Sequence, residues 1–326
     1  MEDIRWNRLV KAIKNKGTVL FIGPNVEKDE NGEPVLSLFS KKMLDNYKGE
    51  ISIDDDGFFF FIEPEAKSDV EYDMKEFYEK NDFGADLYRK IAAIPFHLII
   101  SLSPDDAIHN VFDMHQVAHQ FAYYAPYKME LEEITSEKPL IYNLLGLATQ
   151  KKYILTQENY FDYLKAVLGE NVLPSKIIAE LKDASNYIFL GFDFDKWYNR
   201  FLLMLLNFHN NKDDKTSHAI QKEMSPELMR KRIEKQFKIT FIEKEEEIFI
   251  ETLYQQVAEA GMLRQLKSQE DALKESLQQK MKLLEEYEFI FDHSSDPKER
   301  ARCENEIKNL NSDIENQTQE LKNLTR

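Results

Sequence analysis

The chain has 326 residues, 42% of them hydrophobic, enough for one good-sized core with an appendage or for two modest domains. A formal charge of −16 excludes a general affinity for nucleic-acid backbones or anionic membrane surfaces, because both require a positive field. The single cysteine, Cys303, excludes an internal disulfide framework and a cysteine-rich metal site, and points to a reducing, cytoplasmic setting. No stretch approaches the roughly 20 apolar residues of a membrane helix, and residues 1–15 lack an apolar core of signal-peptide length.

In chain order, Ile4, Leu9, Val10 and Ile13 are spaced for a short helix beside the first strand. The run Thr18-Val19-Leu20-Phe21-Ile22 suits a strand buried on both faces, and Gly23 ends it abruptly. A buried strand entering a glycine turn and then a helix is how nucleotide-binding α/β domains open, since the helix N-terminus offers free N–H groups to a phosphate. The loop Gly23-Pro24-Asn25-Val26-Glu27 carries one glycine, and Glu27 puts negative charge where a pyrophosphate would approach. After a polar excursion over 28–34, Leu36, Phe39, Met43 and Leu44 share one face of a helix over 36–47. A strand over 58–62 follows the turn signal Asp54-Asp55-Asp56-Gly57, and Pro64 opens a charged helical region to about 94.

Residues 96–101 (FHLIIS) read as another buried strand, which Ser103-Pro104-Asp105-Asp106 turns into a helix, Ser103 capping and Pro104 in the first turn. Further strands over 139–146 and 186–191 end in Gly146 and Gly191, with helices over 156–168, 175–184 and, after Asp193-Phe194-Asp195, 197–208. Short strands over 217–220 and 238–241, with helices reaching about Gly261, complete the set. Such alternation predicts an α/β fold, a Rossmann-type, mainly parallel sheet over 1–261 whose ligand lies beyond the carboxyl ends of the strands.

From Met262 glycine disappears and Glu, Lys, Gln and Leu dominate. Leu266, Leu273, Leu277, Leu284 and Phe291 mark one stripe, and Cys303, Ile307, Leu310, Ile314, Gln317, Leu321 and Leu324 alternate by four and three like a coiled-coil seam. Residues 292–295 make a short link, and Asp296-Pro297-Lys298-Glu299 is a helix start, so 262–326 predicts an all-α antiparallel helical hairpin. Two helices alone bury little surface, so the hairpin is expected to dock on a partner or on its own copy.

Four clusters, FIGPN at 21–25, SLSPDD at 101–106, YNLLG at 142–146 followed by LTQENYFDYL at 155–164, and FLGFDFD at 189–195, resemble in order and spacing the SIR2-like family, the sirtuin-related NAD-consuming domains of bacterial antiphage proteins. The resemblance covers about 19–208, and the C-terminal hairpin is similar to the effector-associated adaptor domains of prokaryotic conflict systems. It implies that Gly23, Pro24, Asn25, Val26, Asp106, Gly146, Gly191, Asp193 and Asp195 contact NAD, ADP-ribose or a related nucleotide. It also exposes losses: Asn25 stands for the family's second glycine, Glu27 for a serine, Ser103 for the asparagine near the nicotinamide ribose, and Leu145 for the general-base histidine, while Asp105 survives. Cleaving the nicotinamide bond needs ribose positioning and commonly a proton transfer worth about 10²- to 10⁴-fold. Leucine supplies none, so the resemblance implies a degraded sensor or adaptor whose α/β domain binds a nucleotide or assembles with copies of itself, and which recruits an effector through 262–326. The alternatives are an active NADase using Asp105 or Asn143 in place of the histidine, and a purely structural oligomerisation scaffold.

Every cluster also has a bland reading. Asp105, Asp106, Asp193 and Asp195 would serve helix dipoles equally well. His115 and His119 have the one-turn spacing of a metal clamp, but without a nearby third ligand no metal is expected. The acidic run 243–247 reads as a solvated helix start, and Tyr123-Tyr124 and Phe58 to Phe61 as core or interface.

Overall fold

The computed structural model describes residues 4–80, 84–125, 127, 129–170, 173–206, 216–222, 226–293 and 297–324. They form two compact units: one of Met1–Phe112 with Ala118–Arg264, the other of Asp113–Val117 with Gln265–Arg326.

The first unit is built on a seven-stranded, wholly parallel sheet. Its strands are β1 (Thr18–Ile22), β4 (Leu98–Ser101), β5 (Gln120–Tyr123), β6 (Leu140–Asn143), β7 (Asn186–Leu190), β8 (Thr216–Gln221) and β9 (Ile239–Glu243), in the spatial order β5-β6-β4-β1-β7-β8-β9. The chain fills one side of β1 with β4, β5 and β6 and then crosses to the other with β7, β8 and β9, so β1 is the topological switch point of a Rossmann-type sheet. β1, β4 and β6 are buried along their whole length, as the continuous apolar runs require. The covering helices include α1 (Trp6–Lys14), α2 (Val35–Asn46), α3 (Ala66–Lys80), α4 (Ala85–Ala93), α5 (Ala107–Met114), α6 (Gln157–Lys165), α7 (Ser175–Asp183), α8 (Trp197–Leu205), α9 (Glu227–Phe237) and α10 (Glu246–Glu259).

Several local expectations are corrected. The aromatic run after Asp54–Gly57 is a strand, β3 (Phe59–Phe61), but it pairs antiparallel with β2 (Ile51–Ile53) in a separate hairpin and never joins the sheet. The charged region after Pro64 is two helices, α4 beginning after Gly84, which adopts φ 73°. Leu44 is 39% exposed, outside the buried face of Val35, Phe39 and Met43. β5 carries no continuous apolar run, only Phe121, Ala122 and Tyr123. It is an edge strand, and the Gln120 side chain holds the segment beyond it through Glu132 N (2.9 Å) and Glu133 O (3.0 Å). Residues 207–208 of the helix expected over 197–208 lie outside the described residues.

The second unit is chiefly α11 (Gln269–His293) and α12 (Pro297–Leu324), an antiparallel pair about 40 Å long at roughly 1.5 Å per residue. Leu273, Cys303 and Leu310 are buried between them, flanked by Ser276 Oγ on Gln317 Oε1 (3.2 Å) and Lys280 Nζ on Asp313 Oδ2 (2.8 Å). Ser294, Ser295 and Asp296, the expected link and cap, lie outside the described residues. Among the described residues no helix is long and apolar enough to cross a membrane.

Candidate functional site

Strand register puts Asn143, Ser101, Ile22 and Leu190 in one row at the carboxyl ends of β6, β4, β1 and β7. The four sequence clusters therefore leave the sheet side by side, at the edge where parallel sheets bind ligands.

The first loop does not present itself to a phosphate. Gly23 N donates to Leu190 O (2.8 Å), Asn25 N to Gly191 O (3.3 Å) and Val26 N back to Gly23 O (3.3 Å). A Cβ on Gly23 would meet Gly191 O at 2.2 Å, and one on Gly191, at φ +57°, would meet Val26 N at 2.4 Å. The two glycines thus let two backbones of the protein touch, and leave no cradle between them. No helix follows Gly23 directly either: α2 begins only at Val35, so the expected strand–glycine–helix phosphate site is absent.

Ser103, Asp105 and Asn143 do come together, but inside the protein, 3%, 5% and 0% exposed. Ser103 Oγ donates to Asp105 Oδ2, while Asn143 Nδ2 donates to the main-chain oxygens of Asp105 (2.5 Å) and Ser103 (3.3 Å). Asp105 Oδ1, and not the expected Ser103, accepts from Ala107 N, the first amide of α5, at 2.9 Å. Glu27, 2% exposed, is buried as well and accepts from Tyr88 Oη at 2.8 Å. Burial holds the Asp105 carboxyl above its ordinary range, against the hydrogen bonds it accepts from Ser103 and Ala107. Tyr78 and Tyr88 are held well above the usual phenol range by burial and by the charges of Glu27 and Asp105.

The other expected ligand residues serve the loops. Asp106 accepts from Thr149 Oγ1 and Asn110 Nδ2, both at 3.1 Å. Gly146, at φ +92°, sits where a Cβ would be 1.9 Å from Lys152 O. Asp193 Oδ1 accepts from Asp195 N (2.9 Å), and the Asp195 carbonyl accepts from Arg200 Nη1 (2.7 Å).

Among the described residues a small and a larger cavity open near this edge. One, about 60 Å³, is mainly apolar; Pro24, Leu102 and Leu145 meet Phe58 and Phe59 of the β2–β3 hairpin there, beside Tyr153 and Tyr160. A ribose does not fit in it. The other is a polar cleft of about 730 Å³ beside the carboxyl ends of β7, β8 and β9. Asn25, Gly191, Phe192 and Gln221 line it, with Lys28 and Lys222 against Asp29, Glu30, Glu245, Glu246 and Glu247. The acidic run is therefore not simply solvated: Glu246 is 4% exposed and takes Lys28 Nζ at 2.9 Å. Burial alone would lower the Lys28 pKa, but Glu246, with Glu247 and Glu245, outweighs it and holds the ammonium above its ordinary value. Carboxylate oxygens of Glu245, Glu246 and Glu247 lie within 4.8 Å of one another. Sequence could not reveal this cleft, since Lys28 and Glu246 are 218 residues apart.

His115 and His119 do not share a helix face, because α5 ends at Met114. His119 Nε2 instead meets His109 Nδ1 at 2.7 Å, and the His109 ring stacks on Phe121 at 4.1 Å.

With this geometry in place the comparison with known families is informative. Residues 97–242 match the family of the SIR2-like domain. The match begins just before β4 and ends within β9, less than half of the chain, and leaves the β1 loop and the hairpin outside it. No curated protein matches the chain.

Proposed function

We propose that the first unit is a SIR2-like domain that binds an NAD-related nucleotide in the polar cleft and does not cleave it. The observation that carries this reading is the separation of the two halves of such a site. The residues that would handle the scissile ribose, Ser103, Asp105 and Asn143, are sealed into one another, and Leu145 stands where the resemblance places a proton acceptor. Of the two cavities described, the cleft has the volume for a nucleoside, and its carboxylates can accept ribose hydroxyls. The residues do not fit a pyrophosphate at the first loop, whose amides are already used, so no cleavage step is assigned to it. In this reading α11 and α12 form an adaptor that recruits an effector protein in prokaryotic defence and assembles copies of the chain. Exposed Met281 (54%) and Phe289 (64%) support that role.

One observation favours a second reading, an oligomerisation scaffold: the cleft holds five carboxylates against two lysines, a field that repels phosphates. Thermal-shift measurement with NAD, ADP-ribose and cyclic derivatives separates the two. A ligand at 100 times its dissociation constant adds about 2.7 kcal/mol to a binding protein, whereas a scaffold does not shift with any nucleotide.

A further inference from the structure

The histidine pair suggested by sequence spacing, His115 with His119, gives way to His109 with His119. His109 stands in the first turn of α5, a helix fixed by its buried residues Ile108, Val111 and Phe112. His119 comes immediately before β5, whose register against β6 is set from Gln120 opposite Leu140 onward. Helix and strand bring His109 Nδ1 to 2.7 Å from His119 Nε2. Aromatic neighbours hold both imidazoles: the His109 ring stacks on Phe121 at 4.1 Å with 7° between the planes, and the His119 ring meets Phe112 edge-on at 5.2 Å. Both histidines are half-buried, so an ion reaches them from solvent without unfolding the chain. Two ring nitrogens this close share one hydrogen at most, so at least one of them turns a lone pair toward the other. A proton bridges such a pair, and a transition-metal ion is the other cation that accepts two imidazole lone pairs.

We propose that His109 and His119 form a binding site for a divalent transition-metal ion of the zinc type, with water in its remaining positions. Imidazole suits zinc, copper, iron and nickel, whereas magnesium and calcium take oxygen ligands. With Zn–N bonds of about 2.0 to 2.1 Å at a tetrahedral angle the two nitrogens stand roughly 3.3 Å apart, so the rings separate by about 0.6 Å from their 2.7 Å contact. That is a side-chain adjustment, with Phe112 and Phe121 keeping the rings turned toward one another. Binding displaces the bridging hydrogen to the ring's other nitrogen or to water, and both facing nitrogens then offer lone pairs to the ion. The pair lies at the β5 edge of the sheet and the polar cleft beside β7, β8 and β9, on the other side of β1. The site therefore stands or falls independently of the nucleotide reading.

The test is calorimetric titration of the untagged full chain with zinc chloride, with magnesium chloride as the oxygen-seeking control, joined to X-ray absorption of the wild type carrying one equivalent of zinc. The absorption fine structure is expected to show two imidazoles around the ion. His109→Gln and His119→Gln are each expected to lose at least about 100-fold in zinc affinity, the upper end of what removing a merely supporting group costs. His293→Gln, which changes an exposed histidine on α11, is expected to bind zinc as the wild type does, and magnesium is expected to give no saturable heat. Wild-type zinc affinity in His109→Gln or His119→Gln overturns the site, and so does magnesium binding as tightly as zinc. Where a variant does not fold, the absorption spectrum of the wild type decides alone: fewer than two imidazoles around zinc overturns the proposal.

Discussion

Individual residues at the carboxyl edge of the sheet do structural work where their positions promised ligand contacts. Gly23 and Gly191 are the sharpest case: each leaves room for the other's loop, not for a bound molecule. Gly191→Ala is therefore expected to destabilise the fold by more than about 2 kcal/mol, combining overpacking with an unfavourable positive φ, as read from the urea midpoint. Unchanged stability with lost nucleotide binding would instead restore the phosphate-loop reading. Asp105 gives the fold a pH dependence. Its pKa is raised above the ordinary 3.8 by burial, so between that value and its folded-state value the native protein holds a proton that the unfolded chain has released. Stability then falls as pH rises through that window, and the contribution is fully present only below it. Asp105→Asn, which cannot titrate, is expected to flatten this slope in urea titrations from weakly acid to neutral pH, with Glu27, Tyr78 and Tyr88 left around it. An unchanged slope would mean that Asp105 does not carry the proton.

At the scale of elements, the positions of these strands were legible because buried parallel strands write continuous apolar runs, as at 18–22, 98–101 and 187–190. β5 was not, because a four-residue edge strand with only Ala122 buried shows no such run. The hairpin seam was legible for the same reason as the strands: Leu273, Cys303 and Leu310 fall on the predicted stripes and are buried. The site was legible only as a neighbourhood. Glycine and aspartate located the strand ends, but the same spacing serves a loop that binds a ligand and a loop that binds another loop; only the Gly23–Gly191 approach decides between them. The polar cleft was hidden because its lysines and carboxylates come from the first loop, the end of β8 and the start of α10. Its excess of carboxylate should favour NAD⁺, with a positive pyridinium ring, over NADH. Titration of both at low salt is expected to rank them in that order, with Glu245→Gln narrowing the gap; NADH binding more tightly would place the nucleotide elsewhere.

At the scale of the whole molecule, an α/β unit whose Ser103, Asp105 and Asn143 are buried is joined in one chain to a two-helix hairpin. Phe289 and Ile290 remain exposed on α11, so sedimentation of the full chain is expected to show association that Phe289→Glu weakens; identical sedimentation of both proteins would remove the hairpin from assembly. The central claim is that the chain retains an NAD-related nucleotide without breaking it. Equilibrium dialysis of NAD against stoichiometric protein, with chromatography of both chambers, tests that claim most directly. The account predicts intact NAD enriched on the protein side and no free nicotinamide in either chamber. Accumulating nicotinamide, or NAD shared evenly between the chambers, would contradict it.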